Sequence, residues 1–247
     1  MPMPRSDKRK NNELRPLKFT CNYVANADGS VLAELGQTKV LVTAMIEEKV
    51  PPFLEGKNKG WLTAEYSLLP GSTKPRNTRE VTKGRPTGRT SEIQRLIGRS
   101  LRAAFDLNRI GSRTIAIDAD VINADASTRV ASICGGFVAV YQALLKLKDR
   151  NIIDEVPLIE PVAAVSVGVV NGELMLDLSY NEDSRAEVDC NVVMNKSGKI
   201  IELQMTAEGK PFDQKFISDL VKLAEGGINQ IIQMQMEAIG QRTGVTA

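Results

Sequence analysis

The sequence predicts an α/β (α+β) protein made of two similar strand-rich halves, each followed by helices. Three observations carry this. Short apolar segments alternate or run together between turn residues, as strands do. Two long stretches repeat their apolar residues at helical spacing. The order of strands and then helix occurs twice along 247 residues. A chain of this length buries roughly 70–75% of its unfolded surface, enough for one sizeable core or two modest ones. With 42% hydrophobic and 25% charged residues, it is not a disordered or collagen-like chain.

Taken in order, Leu17–Val24 and Ser30–Leu35 alternate as strands, and Asn26, Asp28 and Gly29 between them signal a hairpin turn. Lys39–Ile46 is nearly continuously apolar, the pattern of a strand buried on both faces. Residues 51–60 break the pattern and 61–69 resume it. Over 90–107, Ile93, Leu96, Ile97, Leu101 and Phe105 recur at helical spacing. Thr90 or Ser91 would cap this helix, and Arg95, Arg99 and Arg102 would fall on another face. A strand at Thr114–Ile122, a link at 123–127 and a helix at about 128–147 follow. Further strands are expected at 162–170, 173–180, 188–194 and 199–206, then a helix at about 213–239 that Gly226-Gly227 would break or kink. The halves cover about 12–148 and 158–240, with a short hinge near Arg150–Pro161, and read as subdomains of one unit.

No apolar run approaches the ~20 residues of a membrane helix, and the basic start, Met1–Lys10, has no apolar stretch behind it, so neither a membrane span nor a secretory signal is expected. Cys21, Cys134 and Cys190 are odd in number and far apart, which suits a reducing cytosol and predicts a cytoplasmic protein. There is no histidine at all, which removes Ser-His-Asp triads, histidine metal sites and any imidazole acid or base.

Charge is uneven. Residues 1–150 hold 25 Lys and Arg against 15 Asp and Glu, whereas 151–247 hold 7 against 15. The densest cationic stretch, Lys74–Arg102, includes Arg76, Arg79, Arg85 and Arg89, with Pro75, Gly84, Pro86 and Gly88 marking a loop. It reads as a solvated charged surface or as a polyanion-binding loop. The segment 117–133, IDADVINADASTRVASI, is a strand, a tight link and a helix start. Its exposed helical amides, the Thr128 hydroxyl and the Arg129 fork suit an anion, with Arg89 as the second cation. Alternatively, Asp125, Ser127 and Thr128 simply cap the helix. Residues 177–189 carry Asp177, Glu182, Asp183, Glu187 and Asp189 on a strand–loop–strand turn. Two of these would converge on Mg²⁺, or one would give a proton to a leaving group, or the loop is merely acidic and solvated. Paired-carboxylate glycoside hydrolysis sits poorly with 4% aromatic residues. A basic loop, an anion pocket and acids fit one reaction, in which bound phosphate dianion itself attacks a phosphodiester and no histidine is required.

These residues resemble the ribonuclease PH family of phosphate-dependent 3′ exoribonucleases, nearly end to end. The resemblance lies in RSDKRKNNELRP (5–16), VPPFLEGKNKGWLTAEYSLLP (50–70), GRTSEIQRLIGRSLRA (88–103), the 117–133 segment, YNEDSRAEVDCNVVM (180–194) and ELQMTAEGKPF (202–212), all in the family's order. It implies the ribonuclease PH-like (ribosomal protein S5 domain 2-like) fold and a phosphorolytic nucleotidyltransferase that trims tRNA precursors, releases nucleoside diphosphates and can run in reverse. It implies that Arg89, Ser127, Thr128 and Arg129 hold inorganic phosphate, that Asp183 and Asp189 are catalytic with Mg²⁺ or Mn²⁺ beside them, and that Arg76 and Arg79 hold RNA. It also implies a homohexamer, a trimer of dimers, with no membrane partner. The alternative is a catalytically weak or inactive ring-forming RNA-binding subunit of the same fold. This chain departs from the family at Ala126 and Ser127, where two glycines are usual, at Gly71 for an arginine, at Met205 for a glycine and at Ser179 for a frequent acid.

Overall fold

The computed structural model describes residues 5–243; residues 1–4, part of the basic start, and 244–247 lie outside the described residues. The chain opens with three antiparallel strands, β1 (Leu17–Cys21), β2 (Gly29–Leu35) and β3 (Thr38–Glu47). β4 (Trp61–Leu68) then crosses over through helix α1 (Gly88–Arg102) to β5 (Thr114–Asn123), which it pairs in parallel. The first sheet runs β1-β2-β3-β5-β4. After helix α2 (Thr128–Asp149), a second sheet forms from β6 (Val162–Val170), β7 (Glu173–Leu176), β8 (Val188–Asn195) and β9 (Ile200–Ala207). Its order is β7-β6-β8-β9, antiparallel throughout. A short helix, α3 (Tyr180–Asp183), sits between β7 and β8, and α4 (Lys215–Thr243) closes the chain.

Helices α2 and α4 lie between the two sheets. α2 packs on β2 and β3 on one side and β6 on the other; α4 packs on β6, β1 and α2. One buried apolar cluster therefore runs from Val31 and Val42 through Phe137 and Leu144 to Val165 and Ile231. The approach is close: a Cβ on Gly29 would lie 1.9 Å from the Ala139 carbonyl oxygen of α2. The link after α2 is pinned by Asp106 N–H donating to the Pro157 carbonyl and Ile159 N–H to the Ala104 carbonyl.

Several expectations need correction. β1 ends at Cys21, because Asn22 turns into the left-handed region (φ 57°). β3 is buried on one face only; its alternate residues are partly exposed, since helices cover a single face of the first sheet. α1 is capped by Thr87, whose Oγ1 accepts from Thr90 N–H at 3.2 Å, and ends at Arg102, leaving Phe105 buried beyond it. The strand from 173 stops at Leu176. Gly226 and Gly227 do not interrupt α4; Gly227 instead lets Leu176 approach, a Cβ there falling 2.8 Å from Leu176 Cδ1. Finally, α2 is long and apolar enough to cross a membrane by length and composition, although 83% of its apolar window is buried inside the fold.

Candidate active site

One cavity of about 790 Å³ opens where the two sheets meet at the starts of α1 and α2. Thr87, Arg89 and Thr90 reach it from α1, and Ala126, Ser127, Thr128 and Arg129 from α2. Asp183 at the end of α3 and Asp189 and Asn191 on β8 reach it from the second sheet. The pleat explains the last pair. Val188, Cys190 and Val192 face the core, so Asp189 and Asn191 must face the other way.

Two helix N-termini thus converge on one space, each presenting unpaired backbone N–H groups. Ser127 does not cap α2 through its side chain; its hydroxyl meets the Ser166 hydroxyl at 2.9 Å. That removes the simple capping explanation for Ser127. Ala126 and Ser127 both lie in the left-handed region, at φ 56° and 52°, which is the backbone requirement that glycine meets without strain. Thr128 is buried, and its hydroxyl lies 2.8 Å from the buried Tyr66 hydroxyl. Arg129 is aimed by Glu92 Oε1 (3.1 Å) and Gln204 Oε1 (2.7 Å), which both accept from the same terminal nitrogen. Arg89 stands exposed at the rim of the cavity, close enough to act electrostatically on Asp183.

Of the five acids in 177–189, only two face the cavity. Asp177 and Glu182 are buried ion partners of Arg15 and Arg5, and Glu187 is exposed. The expected strand–loop–strand turn is instead strand, α3, strand, with Ser179 and Glu182 forming a capping box at the start of α3. Ser179 therefore has a structural task in place of the family's frequent acid. Burial pushes Asp189 up to about 6, helped by Asp183 and opposed by Arg129. Burial also raises Asp183, against the pull of Arg89 and Arg129. Asp189 Oδ1 is buried with no hydrogen-bond partner, and Oδ2 is 3.5 Å from the Asn191 amide. An orphaned carboxylate oxygen suits a divalent cation or a proton. No group of three or more His, Cys, Asp or Glu side chains gathers for a metal among the described residues. A magnesium-type ion here would hold one or two carboxylates and keep its waters.

Arg76 and Arg79 are exposed on the loop before α1 and do not line the cavity, whereas Lys74, Asn77, Thr78 and Glu80 of that loop do. Gly71 also lines it, with open space where a side chain would stand. Met205 packs partly buried against the core. The sequence did not point to Tyr66, Glu80, Glu92, Gln204 or Ser166. Tyr66, Glu92, Gln204 and Ser166 act through partners 37 or more residues away and Glu80 through Thr90, and only the alternation that buries Tyr66 on β4 left a trace.

Comparison with known proteins shows the family. Residues 13–146 match the 3′ exoribonuclease family, domain 1, and residues 160–227 match its domain 2. The chain belongs to the 3′ exoribonuclease family. It is 51% identical over 238 residues to the ribonuclease PH of Syntrophomonas wolfei, covering 96% of this chain and all of that one. Among solved structures, rice Rrp46 superposes with a TM-score of 0.77 at 18% identity, covering 95% of this chain and 100% of that chain. The Archaeoglobus fulgidus exosome with RNA bound to its active site gives 0.79 at 20% identity, covering 93% and 92%. These structural likenesses establish the ribonuclease PH-like fold.

Proposed function

We propose that this chain is a phosphorolytic 3′-to-5′ exoribonuclease that trims tRNA precursors and other RNA with a free 3′ end. The observation that carries the reading is the shared cavity: Arg89, Thr128 and Arg129 face Asp183 and Asp189 across it. The cations and helix amides hold inorganic phosphate. A phosphate oxygen forms a bond to the phosphorus of the last linkage. The bond to the 3′-oxygen of the preceding nucleotide breaks, and that oxygen leaves with a proton. The product is a nucleoside 5′-diphosphate and a shorter RNA; the reverse reaction lengthens the 3′ end. Asp189, with its carboxyl raised to about 6, is the group best placed to hold that proton near neutrality. Ser127 completes the pocket wall beside Thr128.

Mg²⁺ or Mn²⁺, held by ionised Asp183 and Asp189, would supply charge stabilisation for the departing oxygen in place of that proton. Arg76 and Arg79, exposed beside the cavity loop, would hold RNA upstream of its 3′ end through phosphate contacts. The resemblance further supports a homohexamer, a trimer of dimers, in which the exposed Phe53, Val81, Ile159 and Ile200 would find cover. The buried thiols of Cys134 and Cys190, pushed up to about 12 by burial, suit a reducing cytoplasm. Retention of both acids and both pocket arginines favours an active enzyme over an inactive ring subunit.

The test is an assay of RNA shortening with and without phosphate, with the products identified. Shortening that requires phosphate and yields nucleoside diphosphates is expected. Monophosphates released in phosphate-free buffer would overturn the mechanism.

A further inference from the structure

We propose that Arg15 and Asp125 form a positioning latch that sets the register between the phosphate-binding loop and the helix carrying Asp183. The inference rests on the functional reading above. The two catalytic elements come from different sheets. The loop at 124–127 follows β5, and α3 follows β7. Their relative placement must therefore be fixed by contacts made across the gap between them.

Arg15 lies between them. Its backbone N–H donates to Asp177 Oδ2 at 2.7 Å, its Nε to the same oxygen at 3.0 Å and its Nη2 to Oδ1 at 2.7 Å. Its remaining terminal nitrogen, Nη1, donates to the Asp125 carbonyl oxygen. Asp125 completes the tie by accepting from the Tyr180 N–H, the first residue of α3, at 3.2 Å. One guanidinium therefore spans partners 162 and 110 residues away in sequence.

The pair is buried, with 4% of the Arg15 side chain and none of Asp177 exposed. Burying both charges costs desolvation that their attraction only partly offsets, so stability alone is a weak reason for the arrangement. Its placement is a better one. Asp177 sits at φ 52°, in the turn that redirects the chain from β7 toward α3. Below it, Arg5 grips both oxygens of Glu182 at 2.8 Å, so α3 cannot shift without breaking buried charge contacts. Lysine could not replace Arg15, because a single ammonium cannot present the planar fork that serves Asp177 and Asp125 together. Neither latch residue touches the reacting atoms in this scheme. They act through Asp183 and the loop that holds the phosphate.

The test compares the full chain with Arg15→Lys and Asp125→Ala, using a short RNA, varied inorganic phosphate, and a temperature well below each protein's melting point. Misplacing the bound phosphate relative to the acids should lower kcat by about tenfold or more, while KM for phosphate moves less than about threefold because Arg89, Thr128 and Arg129 remain. A merely structural role would lower the melting temperature and leave kcat of the folded protein unchanged. If kcat of both variants stays within about twofold of the unaltered chain, the latch is overturned. A rise in KM for phosphate that matches or exceeds the fall in kcat marks a damaged pocket and overturns it too. Should Arg15→Lys fail to fold, Asp125→Ala decides by the same thresholds, since it leaves the Arg15–Asp177 pair intact. An unaltered chain that shows no phosphate-dependent shortening would overturn the functional reading, and the latch with it. Unchanged variants beside an active parent overturn the latch alone.

Discussion

In the proposed mechanism, Asp189 trades stability for chemistry. Its Oδ1 is buried without a partner, and burial holds its carboxyl near 6, so at neutral pH the fold carries a poorly solvated charge. Asp189→Asn should nearly abolish RNA shortening and yet raise the unfolding free energy at pH 7.5 by about 1–3 kcal/mol. Phosphate-dependent assays and urea unfolding would check the two halves. Loss of activity accompanied by loss of stability would mean that the site is structurally dependent on the charge. Ala126 illustrates the same trade in the backbone. A non-glycine residue at φ 56° pays about 1–2 kcal/mol relative to ordinary conformations, of which glycine's greater unfolded freedom returns part. Ala126→Gly is therefore expected to stabilise the fold by up to about 1 kcal/mol, read as a higher urea midpoint at unchanged slope. The residues that line the cavity, Arg89, Ser127, Thr128, Arg129, Asp183 and Asp189, were legible in the sequence as residue types. Arginine, threonine and aspartate in a protein without histidine leave few ways to attack a phosphodiester. What sequence alone did not disclose was which of the acids in 177–189 are solvent-facing, which are buried ion partners and which face the cavity. Arg5 and Arg15 decide that, from the far end of the chain.

At the scale of elements, long periodic segments were legible and short ones were not. Ile93, Leu96, Ile97 and Leu101 fix α1 because every one of them is buried on the same stripe. Four-residue α3 has no period to read; a capping box and the ion pairs beneath it hold it in place. β3 read as doubly buried because Leu41, Thr43 and Met45 look apolar enough for a core, yet they form the open face of the first sheet with Asp118 and Asp120 of β5. That face has a consequence for pH. Partial desolvation raises both the exposed Asp118 and the half-buried Asp120, with Glu65 adding to the first and Asp118 to the second. A carboxyl raised in the folded state binds its proton more tightly than in the unfolded chain. Its contribution to stability is thus most favourable at low pH and declines as pH rises through the folded pKa. Asp120→Asn should accordingly raise the melting temperature at pH 8 more than at pH 4. Equal shifts at both pH values would show that the carboxylate is not strained by its setting.

At the scale of the whole molecule, the two halves legible in the sequence share one interior. α2 begins at the cavity and then runs between the sheets, touching β2 and β3 on one side and β6 on the other. Most of its residues are buried on all sides, as a helix covered by two sheets and a neighbouring helix must be. Gln235 of α4 reinforces the joint by donating to the backbone carbonyls of Cys134 and Val162, one in each layer. Phe137 lies at the centre, fully buried and stacked on Phe105 with ring centroids 5.5 Å apart. If the interior is continuous, damage at that centre must be felt by both sheets at once. Phe137→Ala should cost about 3–5 kcal/mol, and the unfolding curve should move as a single transition. Tryptophan fluorescence follows Trp61 in the first sheet, whereas amide hydrogen exchange at Val165 and Val192 follows the second. Coincident midpoints by both probes are expected. Separated midpoints would mean that the sheets unfold independently, and that the cavity between them is held by local contacts rather than by the shared core.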